Sequence, residues 1–195
     1  MKVTEDGEQA DDSALSIVLV FFDVYQKSIE VTIRRTMEEF LSSLQSELSR
    51  PFDLSTMHQH NPLISQFKHK KEGFCPILHE IDGSIKIGIT EIGIWDPVPP
   101  SRFLYGVECD AHASLLSLYR FRQESAGTDQ LLQRLRKATI KIFGVACGLY
   151  HCDDPGCFLT YHMTISDLDT GMYACRGCRD DFIRALQSLN SRIGA

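Results

Sequence analysis

Four cysteines near the C-terminus constrain this chain more than any other feature. Four residues separate Cys152 from Cys157, two separate Cys175 from Cys178, and seventeen lie between the pairs. Two close pairs of thiolates form the ligand set of a closed tetrahedral zinc site, in which Zn–S bonds are about 2.3 Å long. We therefore predict one structural zinc ion bound by these four cysteines, within a subregion that spans residues 151–180.

Composition indicates one ordinary globular domain. The chain has 195 residues, of which 43% are hydrophobic and 24% charged, and a domain of this size buries a full core without help from a metal. The first thirteen residues are acidic, so we predict a disordered tail at 1–13 and a domain at 14–195. A net charge of −6 disfavours nucleic-acid binding. No apolar run approaches the roughly 20 residues of a membrane span.

Three further cysteines, Cys75, Cys109 and Cys147, lie inside apolar stretches. Because the N-terminus lacks the basic and apolar regions of an export signal, we expect a cytoplasmic, reducing environment and no disulfides. The three are then small buried side chains. Reactive thiols are the alternative, which apolar surroundings disfavour because they raise the thiol pKa.

The hydrophobic pattern predicts an α/β (α+β) fold with a single mixed sheet covered by helices. Residues 15–22 read LSIVLVFF, a run typical of a strand buried on both faces. Apolar residues at helical spacing predict amphipathic helices at 28–48 and at 129–147, the second capped by Thr128. Shorter elements are predicted as strands at 52–54, 85–95, 103–107 and 113–119, a loop at 56–71 and helices at 75–81 and 179–189.

The stretch from Gly148 to Cys178 resembles the archaemetzincins, a metzincin-like family of zinc peptidases. Their signature joins HExxHxxGxxH directly to a cysteine, which begins the same pattern of two cysteine pairs; Gly148, His151 and the four cysteines match it in spacing. Upstream, residues 87–90 (IGIT) and 114–122 (SLLSLYRFR) are similar to two strands of that family. The resemblance implies a metzincin-like fold with a C-terminal four-cysteine zinc knob.

The first half of the signature is missing. Where the family has its first His, catalytic Glu and second His, this chain has Lys141, Ile142 and Val145, and its Met-turn methionine is Leu159. An ammonium group has no lone pair to give to zinc, and the Ile and Val side chains have no polar atom. A catalytic zinc needs three protein ligands, and only His151 remains. We therefore predict no catalytic residues and no catalytic zinc.

Several roles around this position stay open from sequence. His162 or His112 could rebuild a metal site with His151, and Glu108 and Asp110 are either carboxylates near a cleft or part of a solvated turn. His151 either packs against the zinc knob through a backbone carbonyl or retains a weak ligand role. Lys141 either replaces the metal cation with its ammonium or extends to solvent beside Lys137.

Two functional hypotheses follow. The first is an inactive archaemetzincin-like protein, a pseudopeptidase that binds a peptide or protein partner in the former cleft near residues 95–100, or that serves as a subunit of an assembly. The alternative is an active, aminopeptidase-like zinc metallopeptidase with non-standard ligands. A nucleic-acid-binding zinc knob that uses Arg176, Arg179 and Arg184 is a third hypothesis, and the acidity of the chain opposes it.

Overall fold

The computed structural model describes residues 14–48, 50–60, 71–96, 102–110, 112–149, 151–161, 164–170 and 174–189. The predicted tail at 1–13 lies outside these residues. The strands are β1 (Leu15–Phe22), β2 (Phe52–Gln59), β3 (Ile85–Thr90), β4 (Ile94–Asp96), β5 (Arg102–Leu104), β6 (Gly106–Asp110) and β7 (Ala113–Ser117). The α-helices are α1 (Lys27–Leu44), α2 (Cys75–His79), α3 (Tyr119–Glu124), α4 (Thr128–Ala146) and α5 (Arg176–Ser188).

Five strands form one mixed sheet in the order β2-β1-β3-β7-β6. The pairs β1–β2, β1–β3 and β3–β7 are parallel, whereas the edge strand β6 runs antiparallel to β7. The register of β6 shifts between Glu108 and Asp110, which marks a bulge. Strands β4 and β5 form a separate two-stranded ribbon. The predicted single mixed sheet with helices is confirmed.

The sheet is covered on both faces, which explains the continuous apolar run of β1. Ile17, Leu19 and Phe21 belong to a large core that also contains the buried faces of α1, α4 and α5. The alternate residues Val18, Val20 and Phe22 belong to a second core beneath α2. Because successive side chains of a strand point to opposite faces, a strand between two helical layers must be apolar throughout.

Local predictions differ from the structure in six places. Strand β2 runs to Gln59, into the predicted loop, because all eight of its residues pair in register with β1. The predicted strand at 85–95 divides into β3 and β4, and the one at 103–107 into β5 and β6. The segment 113–119 leaves the sheet after Ser117 and turns into α3. Helix α4 is capped by Gly127, with Thr128 as its first residue, and α5 begins at Arg176.

The expectation of no disulfide is wrong for two of the cysteines. Cys75 and Cys109 are bonded across a sequence separation of 34 residues. Cys75 begins α2, and Cys109 lies in the bulge of β6, so the bond links the edge strand to the helix on the second face. Cys147 is free and buried, as predicted. Among the described helices, none is long and apolar enough to cross a membrane.

Candidate metal centre

The four C-terminal cysteines converge in space. Their sulfur atoms all lie within 4.8 Å of one another, and the sulfurs of Cys152 and Cys175 are 3.7 Å apart. Four sulfurs at a Zn–S distance of about 2.3 Å define a tetrahedron with edges of about 3.8 Å. The Cys152–Cys175 separation therefore matches one edge of a zinc tetrathiolate, and the cluster could hold one zinc ion.

The first cysteine pair is shaped by a tight loop. The carboxylate of Asp154 accepts a hydrogen bond from Gly156 N at 2.8 Å, and the carbonyl of Asp154 accepts one from Cys157 N. Such local bonds to an Asp side chain stabilise turns. Asp154 N also donates to the Cys152 sulfur at 3.4 Å. The loop thus brings the two sulfurs together and supplies a backbone N–H to one of them.

The second pair lies at the start of helix α5. Cys175 is the N-cap residue in extended conformation, and Cys178 is buried in the first turn. Cys175 N donates to the Cys157 sulfur at 3.4 Å, which links the two pairs. A helix N-terminus favours negative charge, so this placement suits thiolates.

The thiols differ in acidity. Burial raises the pKa of Cys178 and of Cys152, whereas a hydrogen bond from the Cys178 backbone lowers the pKa of Cys175. Zinc binds the thiolate form, so metal binding must release these protons. Zinc affinity at this cluster is therefore expected to fall as the pH falls.

Three basic residues on one face of α4 anchor the segment between the cysteine pairs. We call Arg134, Lys137 and Lys141 the basic row; each is about 5% exposed or less. Arg134 forms a bidentate pair with Asp169 at 2.7 and 2.6 Å. Lys137 donates to the Thr170 carbonyl and Lys141 to the Thr160 carbonyl. The basic row thus fixes Thr160, Asp169 and Thr170, which lie between the two cysteine pairs in the sequence, to the main helix.

A pocket of about 190 Å³ lies beside the cluster, where the family resemblance places the catalytic metal. Its lining joins α4, the edge strand β6 and the turn after α4, and consists of Glu108, Lys141, Val145, Gly148, Leu149, His151 and Leu159. The positive φ of Gly148, +78°, is a conformation that glycine adopts without strain. This turn brings His151 back towards α4, as the family spacing implied.

Lys141 does not extend to solvent. Its side chain is buried, and its ammonium is hydrogen-bonded to the Thr160 carbonyl. Burial lowers its pKa to about 8, although the nearby Cys157 opposes this shift. Lys137 is also buried and bonded to a backbone carbonyl, so of the two alternatives left open for Lys141, extension to solvent beside Lys137 is excluded.

The other two substituted positions are occupied by apolar contacts. Ile142 is 2% exposed and fills the space beside β6, where a Cβ added to Gly106 would lie 2.0 Å from its Cδ1. Leu159, at the Met-turn position, packs against α4 at Gly144 and forms part of the pocket lining. These side chains close the space around the pocket and offer no donor atom to a metal.

His151 lies against the knob and outside the cysteine cluster. Its ring packs edge-on against Tyr161, with centroids 4.8 Å apart. Burial and the charge of Lys141 lower its pKa, whereas a hydrogen bond with the backbone of Leu159 raises it. Among the described residues, the only group suited to a metal is the four cysteines, so His151 and His112 do not form a second one. His162 lies outside the described residues.

The remaining sequence candidates have separate positions. Glu108 is exposed and lines the pocket, and Asp110 is the last residue of β6. Arg179 pairs with Glu47 at 2.5 Å, Arg184 pairs with Asp181, and Arg176 is exposed. Arg134, which fixes Asp169, was missed by sequence reasoning. The spacing of positions 134, 137 and 141, which repeats a basic residue on one helix face, was the available signal.

The sequence is 29% identical over 150 residues to an archaemetzincin from Thermococcus kodakarensis, an alignment that covers 72% of this chain and 77% of the relative. No protein-family model matches the sequence.

Solved structures share the fold. An archaemetzincin from Methanopyrus kandleri superposes with a TM-score of 0.71 at 20% identity, covering 89% of this chain and 96% of that one. An archaemetzincin from Archaeoglobus fulgidus, complexed with malonate, gives 0.59 at 18% identity and covers 86% and 99%. A zinc-dependent peptidase from Methanocorpusculum labreanum gives 0.54 at 19% identity and covers 84% and 98%. The chain is therefore similar in sequence to an archaemetzincin, shares the fold of these solved structures and carries a four-cysteine cluster that could hold zinc.

Proposed function

We propose that this chain is a zinc-binding pseudopeptidase: it keeps the archaemetzincin fold and one structural zinc ion, lacks peptidase activity, and acts by binding a peptide or protein segment. The observation that carries the proposal is the position of Lys141. Its buried ammonium is hydrogen-bonded to the Thr160 carbonyl in the pocket where the family signature places a metal-binding His.

The residues of this pocket do not fit a catalytic zinc ion. Such a zinc requires three protein ligands and an open position. Lys141 offers N–H donors, Val145 offers no donor atom, and His151 is a single imidazole. The ammonium would also repel a divalent cation across a few ångströms of partly buried space. The missing ligands and the fixed positive charge therefore both disfavour binding of a catalytic zinc ion.

The helix also lacks the group that would activate water. In the family signature a Glu follows the first His, and here that position is Ile142, packed against Gly106. Glu108 is the one carboxylate in the described pocket lining. It belongs to the bulged edge strand. The rival hypothesis, a peptidase with non-standard ligands, would have to use Glu108 together with His151.

The edge strand and the pocket together support binding of an extended segment. Strand β6 has β7 on one side and forms an edge of the main sheet, so its outer backbone groups can pair with an added strand. Glu108 places the pocket directly beside this edge. A volume of about 190 Å³ suits one side chain of a bound peptide, with Leu149 and Leu159 as apolar contacts.

The decisive measurement is zinc content combined with peptide hydrolysis. We expect one zinc per chain by elemental analysis and no cleavage of a peptide library. The triple variant Lys141→His, Ile142→Glu, Val145→His restores the family's donor set and is the positive control for a second zinc. Two zinc ions in the unmodified chain, with cleavage blocked by a chelator, would contradict the proposal.

Binding needs its own test. A peptide array identifies a ligand, and titration calorimetry with the best peptide then compares variants. Leu149→Trp, which fills the pocket, is expected to weaken binding at least tenfold, whereas Gln123→Ala, on the exposed face of α3, leaves it unchanged. Equal affinities for the two variants would place the bound peptide elsewhere and refute binding at this pocket.

A further inference from the structure

A second, larger cavity lies away from the pocket. Its volume is about 730 Å³, within the range of roughly 300–1,000 Å³ that is typical of sites for small molecules. It is bounded by α1, α4, Phe158 and the residues Leu168 and Asp169, and it shares no lining residue with the pocket beside His151. Its apolar lining consists of Phe40, Ile140, Phe158 and Leu168.

Two basic and two acidic side chains also line this cavity, but they are not equally available. The acids are Glu39 and Asp169. Glu39 pairs with Arg35 at 2.7 Å, and Asp169 pairs with Arg134 at 2.6 Å. Both arginines lie outside the lining. The acidic charge at the cavity is therefore already neutralised.

The basic side chains keep their charge. Within the described structure, Arg136 is exposed and takes part in no ion pair. Lys137 is buried and donates to the Thr170 carbonyl, a neutral partner, while the nearby Asp169 carboxylate is paired with Arg134. Burial accordingly lowers the pKa of Lys137, and Asp169 only partly offsets this. The cavity thus combines an apolar interior with two cations at positions 136 and 137.

We infer that this cavity binds an amphipathic carboxylate, whose alkyl or aryl body contacts Phe40, Ile140, Phe158 and Leu168 and whose carboxylate is held by Arg136 and Lys137. An apolar body gains from leaving water, and charge-assisted hydrogen bonds fix the carboxylate. A neutral apolar ligand would leave both cations without a counter-charge. A short hydrophilic anion would forgo the apolar contacts.

The inference is tested with decanoate, used below its aggregation threshold, in titration calorimetry on the zinc-loaded chain. Decanol carries the same chain without charge, and acetate carries the charge without the chain. We expect saturable 1:1 binding of decanoate, at least tenfold weaker binding of decanol and no detectable binding of acetate. Equal binding of decanoate and decanol would overturn the role of the cations, and absence of decanoate binding would overturn the site.

Variants locate the binding. Arg136→Gln and the cavity-filling Gln133→Trp change exposed positions of the lining, so both are expected to fold and keep zinc. Each should weaken decanoate binding at least tenfold. Arg34→Gln, an exposed Arg of α1 outside the lining, should leave it unchanged. If Gln133→Trp binds decanoate as tightly as the unmodified chain, the ligand occupies another place and the inference is wrong.

Discussion

The cysteine cluster and the pocket beside His151 are adjacent in the molecule and differ completely in their donor atoms. Both use the segment that follows α4: Cys152 and His151 are consecutive, and Leu159 contributes its carbonyl to Cys152 N and its side chain to the pocket. In the cluster, four sulfurs converge at metal-binding distances. In the pocket, an ammonium and an apolar side chain stand at the two α4 positions where the family signature has its metal-binding His residues.

This contrast shows that the backbone which shapes a metal site can be present without the side chains that bind the metal. The glycine turn at Gly148 and the return of His151 are present although the donors on α4 are not. Cysteine sulfurs need only one another and a metal, whereas a catalytic site needs ligands, a base and an open position at once. Three positions on one helix differ from the family signature, and the four-cysteine cluster is geometrically intact beside them.

The largest expected effect breaks the cluster. Cys175→Ser removes one zinc ligand, and because structural zinc contributes its binding energy to folding, we expect loss of zinc and destabilisation by more than about 5 kcal/mol of the region from 152 to 188. Elemental analysis and hydrogen exchange of α5 measure this. His151→Ala is the matched change in the pocket and should keep one zinc per chain. Loss of zinc in His151→Ala would show that the ligand set is misassigned.

The next effect concerns the two cysteines that bond each other. Replacing both Cys75 and Cys109 with Ser releases a loop of 34 residues, for which chain entropy gives about 4 kcal/mol. We expect the denaturant midpoint to fall while zinc content stays at one per chain. Cys147→Ser, at a free buried thiol, is the control for loss of a buried sulfur. A drop in zinc in the double variant would mean that these cysteines support the cluster.

A smaller effect tests the basic row, which includes Lys141 of the pocket and anchors residues that lie between the two cysteine pairs. Arg134→Ala leaves Asp169 without its partner, and since that carboxylate side chain is 40% exposed, we expect a loss of about 2–3 kcal/mol. Urea unfolding gives the value. Arg136→Ala, on the exposed side of the same helix, should change stability by no more than about 0.5 kcal/mol. Similar losses in both variants would show that Arg134 is no anchor.

The smallest effect is a pH dependence at Lys141. Its folded pKa of about 8 lies below the ordinary 10.5. Below pH 8 the ammonium is charged in both states and its burial cost is fully present; above 10.5 it is neutral in both and the cost is gone. The free energy of unfolding should therefore rise between these values, relative to Lys141→Met, by on the order of 1–2 kcal/mol after solvent screening.

Unfolding curves at several pH values check this. The difference between the unmodified chain and Lys27→Met, at an exposed lysine of α1, should stay flat over the same interval. A flat difference for Lys141→Met as well would mean that the Lys141 ammonium is as well solvated in the fold as in the unfolded chain.

Long periodic elements could be predicted from sequence because their apolar residues repeat over many turns. Helices α1 and α4 and strand β1 are of this kind. Strand β2 was underestimated because it is an edge strand, where exposed Asp53, Ser55 and Met57 alternate with half-buried residues, and its pairing depends on β1. The break between β5 and β6 depends on a tertiary turn at Tyr105, which local pattern does not reveal.

In the candidate site, likewise, features set by spacing in the sequence could be predicted, whereas those set by distant contacts could not. The spacing of the cysteines predicted a cluster, and the signature predicted that Lys141, Ile142 and Val145 cannot hold zinc. The burial of Lys141 could not be predicted, because its partner is a backbone carbonyl nineteen residues away. The disulfide was missed because Cys75 lies in a helix and Cys109 in a bulged strand. These two elements approach each other only when the whole sheet has formed.

The hydrogen bond from Lys141 to Thr160 also bears on how such a chain could change over generations. Lys141→His alone would remove an anchor of the zinc knob and add one imidazole to a site that still lacks a second donor and a base. Val145→His alone would place an imidazole beside an ammonium. Under the proposed function, a return to the family's donor set therefore needs several substitutions together, because no single one supplies the missing ligands and the base.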